Sequence, residues 1–219
     1  MKTGNRNYIV SVILTLFNSR EFYRRALDSI LNQSFRDIEI IIVDDGSTDG
    51  TESDLLPGIR HLENVKYLRH SNRKHALSLN SGILISSGKF ITFLDSDDEY
   101  KPEHIQQRIN YFNENIYIDL ISTGADIIGK EEDMYVPDAN DLNRLIHIKD
   151  CIMLGTLFGK REVFLDLKGF RDIYSHDSDF FKRAEEIFRT AFLESDTYVY
   201  YRNNPESVLA KLKKSIHDK

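Results

Sequence analysis

Residues 38–51 read IEIIIVDDGSTDGT: a β-branched run cut off by residues that are all acidic, hydroxyl-bearing or glycine. A strand buried on both faces reads as a near-continuous apolar run, and clustered turn residues mark its end. The same form occurs twice more. YIVSVILTLF (8–17) is closed by Asn18, and Phe90–Leu94 (FITFL) is closed by DSDDE (95–99). Between them the period changes. Asn18 with Glu21 three residues later has the form of a capping box, and Phe22, Ala26, Leu27, Ile30 and Leu31 share one helical face. Residues 65–68 read as a weaker strand. Residues 74–86 read as a helix with Ala76, Leu79, Ile83 and Leu84 inward and Gly88 ending it. Pro102 suits a first helical position, ahead of the stripe Ile105, Ile109, Phe112. Strands alternating with helices at this spacing require crossover connections, so the expected fold is an α/β, doubly wound, mostly parallel sheet. Ligands of such sheets bind at the carboxyl ends of the strands, where Asn18, Asp44, Asp45 and Asp95 to Asp98 all fall.

The 219 residues, 41% of them hydrophobic, suit one domain with one good core. A formal net charge of −6 argues against a nucleic-acid binder, since phosphate contacts call for a clustered basic surface. With Cys151 as the lone cysteine there is neither an internal disulfide nor a cysteine-based zinc site, which fits a reducing, cytoplasmic setting. The N-terminus has no signal-peptide pattern, and no window approaches the ~18 apolar residues of a membrane span, so any membrane contact is expected to be peripheral. Past residue 118 the pattern weakens. Residues 118–123 read as a strand, 129–141 as a solvated loop, 161–168 and 177–188 as helices, and 197–202 as a strand. The tail from Ser207 sets Leu209, Leu212 and Ile216 against Lys211, Lys213 and Lys214, a pattern compatible with an anionic membrane face or a packed helix.

Four carboxylates at one strand end repel each other and call for a cation. Alternate residues of an extended segment face the same way, so the D-x-D spacing of Asp95 and Asp97 suits a hard divalent ion such as Mg2+ or Mn2+. Such an ion usually bridges one or two carboxylates and the phosphates of a substrate. Two chemistries remain open on these residues: a phosphotransferase or phosphatase with an aspartate nucleophile, and an enzyme holding a nucleotide-sugar diphosphate through a metal.

SVILTLFN (11–18), RALDSILNQSFRDIEIIIVDDGSTDGT (25–51), LSLNSGI (77–83) and GKFITFLDSDD (88–98), in this order and spacing, resemble the family 2 glycosyltransferases. The resemblance implies the GT-A fold, a Rossmann-like doubly wound mixed sheet with helices on both faces. It implies one domain over 1–219, with a nucleotide-sugar-binding half (8–117) and an acceptor-side half (118–219). It implies an inverting, metal-assisted transferase of polysaccharide biosynthesis, moving sugar from a UDP-linked or other nucleotide donor to a glycan or lipid-linked acceptor. In its terms Thr15, Phe17, Asn18, Asp44, Asp45, Lys74 and Asn80 line the nucleotide, with Thr15 standing where proline is more usual. Asp95 lies near the ribose and shares the metal with Asp97, and Asp98 supports both. LKGFRDIYSHDSDFF (167–181) resembles the segment holding a Glu-Asp pair whose Asp is the general base. That makes Asp177 the expected base, Asp179 the alternative, and His176 the replacement for the Glu. YYRNNPESV (200–208) resembles a YRxHxxS segment, with Asn204 in place of the histidine and Arg202 a candidate for the diphosphate. The alternatives are a non-catalytic nucleotide-sugar-binding module and, against the TLFNSRE loop at 15–21, a sugar-phosphate nucleotidylyltransferase, which calls for a glycine-rich basic loop there.

Overall fold

The computed structural model describes residues 8–202. Its first part alternates β1 (Val10–Leu16), α1 (Tyr23–Leu31), β2 (Ile38–Asp44), α2 (Thr51–Ile59), β3 (Val65–Arg69), α3 (His75–Ile85) and β4 (Phe90–Asp95). Then come β5 (Glu99–Tyr100), α4 (His104–Glu114), β6 (Leu120–Thr123), β7 (Asp126–Ile128), β8 (Tyr135–Asp138) and β9 (Asp141–His147). The last elements are β10 (Phe158–Lys160), α5 (Arg161–Asp166), α6 (His176–Glu185), β11 (Thr190–Leu193) and β12 (Tyr198–Tyr201).

A seven-stranded sheet runs in the order β11-β6-β10-β4-β1-β2-β3, parallel except for β10, which is antiparallel to both β4 and β6. Side chains alternate across it, so each central strand feeds two cores. Val12, Leu14 and Leu16 of β1 meet Ala26, Leu27 and Ile30 of α1 and the Ile105, Ile109, Phe112 stripe of α4. Ile13, Ile41 and Phe93 face α3, α5 and α6 through Leu79, Ile83, Val163, Phe164 and Phe180. Both faces are covered by helices, which is why the strands read as unbroken apolar runs. A smaller sheet, β5-β12-β7, places the end of the described chain against the segment that follows β4.

Several local expectations are corrected. Helix α2 was not legible, because Pro57 and Gly58 interrupt a short segment whose only strong start signals are Asp49, which accepts from Thr51 N (3.0 Å), and acidic first-turn residues. Leu84 is 71% exposed rather than inward. α3 ends at Ile85 with Ser86 extended just after it, whereas Gly88 lets the chain pass close against β1. No side-chain cap joins Asn18 and Glu21: the first-turn N–H groups of Phe22 and Tyr23 bond to the Ser19 carbonyl. Pro102 precedes α4 by two residues rather than opening it. Residues 129–141 are not a plain loop, since β8 pairs with β9 as an antiparallel hairpin.

A carboxylate buried between β1 and β2 closes the back of the fold. Glu39 is inaccessible, and burial alone would raise its pKa, but Lys66 at 2.7 Å and hydrogen bonds from Ser11 and Ser87 hold it below the ordinary value. Gly88 N completes the set at 3.1 Å. A Cβ on Gly88 would lie 2.5 Å from Ser11 N, so Gly88→Ala forces the two segments apart. The substitution is expected to destabilise the chain by about 1–3 kcal/mol, read as a lower urea midpoint at unchanged slope.

Candidate functional site

The strand register builds the crevice. β1 pairs with β2 so that Leu16 lies beside Asp44, and with β4 so that Thr15 lies beside Asp95. Three loops leave the sheet at this edge and are tied together by short polar side chains. Asn18, at φ 49, occupies the left-handed region that asparagine tolerates. Its N–H donates to Ser47 Oγ (3.0 Å), and its Oδ1 accepts from Thr48 N (2.8 Å). Ser19 Oγ and Ser96 Oγ are 2.7 Å apart, joining the loop after β1 to the acidic turn. Phe17 remains 50% exposed at the mouth.

Asp44 and Asp45 separate in role. Asp44 is fully buried and organises the turn: it accepts from Ser47 N (2.7 Å) and Tyr67 Oη (2.9 Å), with Arg69 at 3.6 Å. Asp45 faces the β3–α3 loop, accepting from Arg73 N (2.6 Å) with His70 Nδ1 at 3.3 Å.

At the end of β4 the four carboxylates also divide. Asp98 turns inward and is fully buried; Tyr198 Oη donates to it, as does Tyr201 N at 2.8 Å. Burial, followed by the charges of Asp97 and Asp95, pushes its pKa well up. Glu99 accepts from Tyr201 Oη (2.9 Å). Arg25 of α1 lies over the Tyr201 ring (3.7 Å to the centroid) and donates to the Asp97 carbonyl.

Asp95 meets a residue that the sequence did not single out. His75 Nε2, in the first turn of α3, is 3.0 Å from Asp95 Oδ1 and 3.0 Å from Thr15 Oγ1. Burial opposes the charge of His75, but Asp95, then Asp177 and Asp97, hold its pKa above the ordinary value. Asp95 in turn sits below its ordinary value, because the charge and hydrogen bond of His75 outweigh burial. The one sequence-level signal was position: His75 opens the helix that follows β3, after a loop at the same crevice edge.

The acceptor-side segment reaches the same place. His176 packs edge-on to His75, with centroids 5.2 Å apart, and to Phe170 at 5.5 Å. Burial and the neighbouring His75 charge lower its pKa to about 4, so it is neutral at physiological pH. Asp177 follows in the first turn of α6, and burial pushes it up to about 6 despite the Ser178 N–H at 2.8 Å. Asp179 is different in kind: Arg171 (3.1 Å) and Arg183 (2.9 Å) both pair with it. Those ion pairs tie Asp179 to two arginines, whereas Asp177 has no ion pair among the described residues and feels the charges of Asp95 and His75.

Two residues expected around the nucleotide also make contacts within the protein. Asn80 donates to the Phe170 carbonyl and accepts from Phe170 N, both at 2.8 Å, clamping a turn in which Gly169 has φ 68. Lys74 pairs with Asp172 (2.7 Å) on the surface. Both therefore join α3 to the segment that carries Asp177. Arg202 is buried and donates to the Asp133 carbonyl (3.1 Å). Asn204 and the amphipathic tail lie outside the described residues.

The donor set at the end of β4 fits a hard divalent cation. Burial first and then the charges of Asp97 and Asp95 push Asp98 toward its protonated form, and His75 stands by Asp95 as a counter-charge. Among the described residues no group of three or more His, Cys, Asp or Glu forms a complete cage. One or two carboxylates, the remainder coming from phosphate and water, is the usual magnesium arrangement.

A mixed sheet with this crevice at its carboxyl edge defines the GT-A class, and solved structures agree. S. aureus TarS (residues 1–349), crystallised with UDP-GlcNAc, superposes with a TM-score of 0.73 at 21% identity, over 93% of this chain and 60% of that one. The mannosyltransferase PcManGT of Pyrobaculum calidifontis, crystallised with GDP-Man and Mn2+, gives 0.71 at 19% identity, over 98% and 66%. The model of glycosyl transferase family 2 matches residues 11–159, and the chain belongs to that family. A protein of Rickettsia prowazekii named as an uncharacterized glycosyltransferase is 32% identical, over 86% of this chain and 63% of its own length. EpsJ of Bacillus subtilis, named likewise, is 27% identical over 91% and 62%. The chain thus spans under two thirds of these relatives.

The inward aspartate makes a testable statement about stability. Burial keeps the proton on Asp98 to higher pH in the folded chain than in the unfolded chain, where it leaves near pH ~3.9, so this group stabilises the fold most at low pH and its contribution falls as pH rises from there. Asp98→Asn is expected to lessen that decline, giving a thermal midpoint in EDTA that drops less between about pH 4 and 8 than in the wild type.

Proposed function

We propose that this chain is the transferase part of an inverting glycosyltransferase that moves sugar from a nucleotide-sugar, UDP-linked in the first instance, to a hydroxyl of a glycan or lipid-linked acceptor. The observation that carries the reading is that His176, the residue before Asp177, packs on His75, which in turn contacts Asp95, so that the acceptor-side segment meets the crevice at the end of β4; burial there pushes Asp177 up to about 6. A base works best when its pKa lies near the working pH. Residues 8–117 hold the donor and residues 118–219 the acceptor.

Phe17 offers an exposed ring to the base, Asp45 lies on the base and ribose side, and Asp95 lies near the ribose. Asp97, with Asp95, holds a divalent cation, Mn2+ or Mg2+. When bound, that cation neutralises charge on the departing nucleoside diphosphate. Asp177 takes the proton of the acceptor hydroxyl as its oxygen bonds to the anomeric carbon. The bond from that carbon to the donor phosphate oxygen breaks on the opposite face, so the configuration inverts in a single displacement. Neutral His176 adds no second positive charge beside Asp177 to that of His75. Among the described residues no helix is long and apolar enough to cross a membrane, and the proposal has the chain meet a lipid-linked acceptor peripherally, from the cytoplasmic side.

Calorimetric titration of UDP and GDP, each with and without Mn2+, tests the donor site. The expected result is metal-dependent UDP binding that is lost in Asp97→Ala, and no binding of either nucleotide in the wild type would overturn the reading. Preference for GDP would keep the enzyme class and change the donor.

Asp177 supplies a separate test through slow hydrolysis of the donor by water. Asp177→Asn is expected to suppress hydrolysis roughly 10²-fold or more while UDP still binds. In the wild type the rate should fall as pH drops below about 6, where Asp177 becomes protonated. Hydrolysis at the wild-type rate in the variant would remove Asp177 as the base, and a wild type that binds UDP without ever hydrolysing the sugar donor would point to a non-catalytic binding module.

A further inference from the structure

We infer that His75 is the positioning residue for Asp95, and that Thr15 completes the device; this rests on the transferase reading above. His75 is no packed core histidine, because its side chain remains 37% exposed in the crevice. One nitrogen, Nε2, makes both polar contacts, at 3.0 Å to Asp95 Oδ1 and 3.0 Å to Thr15 Oγ1. An ionised carboxylate only accepts hydrogen bonds, so Nε2 carries the proton and shares it between the two oxygens. That sharing sets the ring plane, and the edge-on contact with His176 supports the ring from the acceptor side. The backbone is committed to the same end: Lys74, immediately before it, takes φ 75, a conformation unusual for a side-chain-bearing residue, at the point where α3 starts.

Asp95 closes β4, and an aspartate at a strand end has free χ1 and χ2 rotation unless something fixes it. His75 fixes Oδ1. The carboxylate is thereby presented to the donor in one orientation before the donor arrives, so binding does not have to order it. Thr15 acquires a purpose in the same arrangement: its hydroxyl oxygen takes the other share of the Nε2 proton. Thr15 and His75 are therefore expected to act as one unit.

Four proteins decide the matter: His75→Ala, His75→Gln, Thr15→Val and the double variant Thr15→Val/His75→Ala. UDP is titrated into each by calorimetry with Mn2+ and with EDTA, thermal midpoints are recorded, and donor KM and kcat are measured by hydrolysis. The expected result for His75→Ala is UDP binding weakened roughly tenfold, with donor KM raised more than kcat is lowered. His75→Gln, whose amide N–H still donates, should recover most of the loss. Thr15→Val should weaken binding in the wild-type background and have no added effect once His75 is alanine. Wild-type UDP affinity in His75→Ala overturns the proposal, as does strict additivity of the two single changes. A glutamine variant as weak as alanine, with an equally lowered thermal midpoint, assigns His75 a packing role and also overturns it. If His75→Ala does not fold, Thr15→Val and His75→Gln decide by the same binding measurement. Failure of the wild type to bind any nucleotide is a distinct outcome that overturns the transferase reading itself, and this inference with it.

Discussion

Everything at this site depends on the parallel register that sets β1 between β2 and β4. Because Leu16 lies opposite Asp44 and Thr15 opposite Asp95, three strands end at one level, and the residues just beyond them share one crevice edge. A slip of one residue would turn every side chain to the other face of the sheet. The register is protected by apolar residues on both faces and by the Glu39, Ser11 and Gly88 cluster at the opposite end, where a buried carboxylate is tolerable only because Lys66 and several donors surround it. With the back of the sheet so constrained, the front can carry turns whose conformations no apolar packing would hold.

Charge is the second constraint. Four carboxylates leave β4 within five residues, and the fold deals with each one separately. Asp98 goes inward and is pushed toward the protonated form beside Tyr198; Glu99 takes a tyrosine hydroxyl; Asp95 takes His75; and Asp97 has its carbonyl held by Arg25. The partners come from α1, α3 and β12, elements far apart in sequence. The acidic turn is therefore held by the whole domain rather than by its own local geometry. Asn80, Lys74 and the His75–His176 contact hold the segment after α5, which carries Asp177, against α3.

The central strands and the long amphipathic helices were legible because burial on two faces and the 3.6-residue period both leave marks in composition. Weaker marks belong to elements whose existence depends on what they pair with. β5, β7, β10 and β11 have two to four residues each, and only neighbouring strands make them strands. The β8–β9 hairpin lies in a stretch whose charges read as solvated surface. Arg108 sits in the apolar face of α4 yet is fully buried, bonded to Thr197, Thr123 and the His104 carbonyl; periodicity has no means of announcing a buried cation. In the site, Asp177 stood out only through the family resemblance, and the carboxylates after β4 were legible as a cluster from their spacing. His75 was not, and neither were the protein-bound roles of Asn80, Lys74 and Asp179.

The amino-acid sequence by itself determined the alternating α/β order, the core strands and the placement of carboxylates at their ends, since hydrophobic periodicity and turn chemistry act over a few residues at a time. Only the tertiary structure decided which carboxylate turns inward, which pairs with an arginine and which is left facing the crevice. Those outcomes follow from burial and from partners brought together across as many as a hundred residues, as Tyr198 and Asp98 are, and no local pattern encodes a distance of that kind.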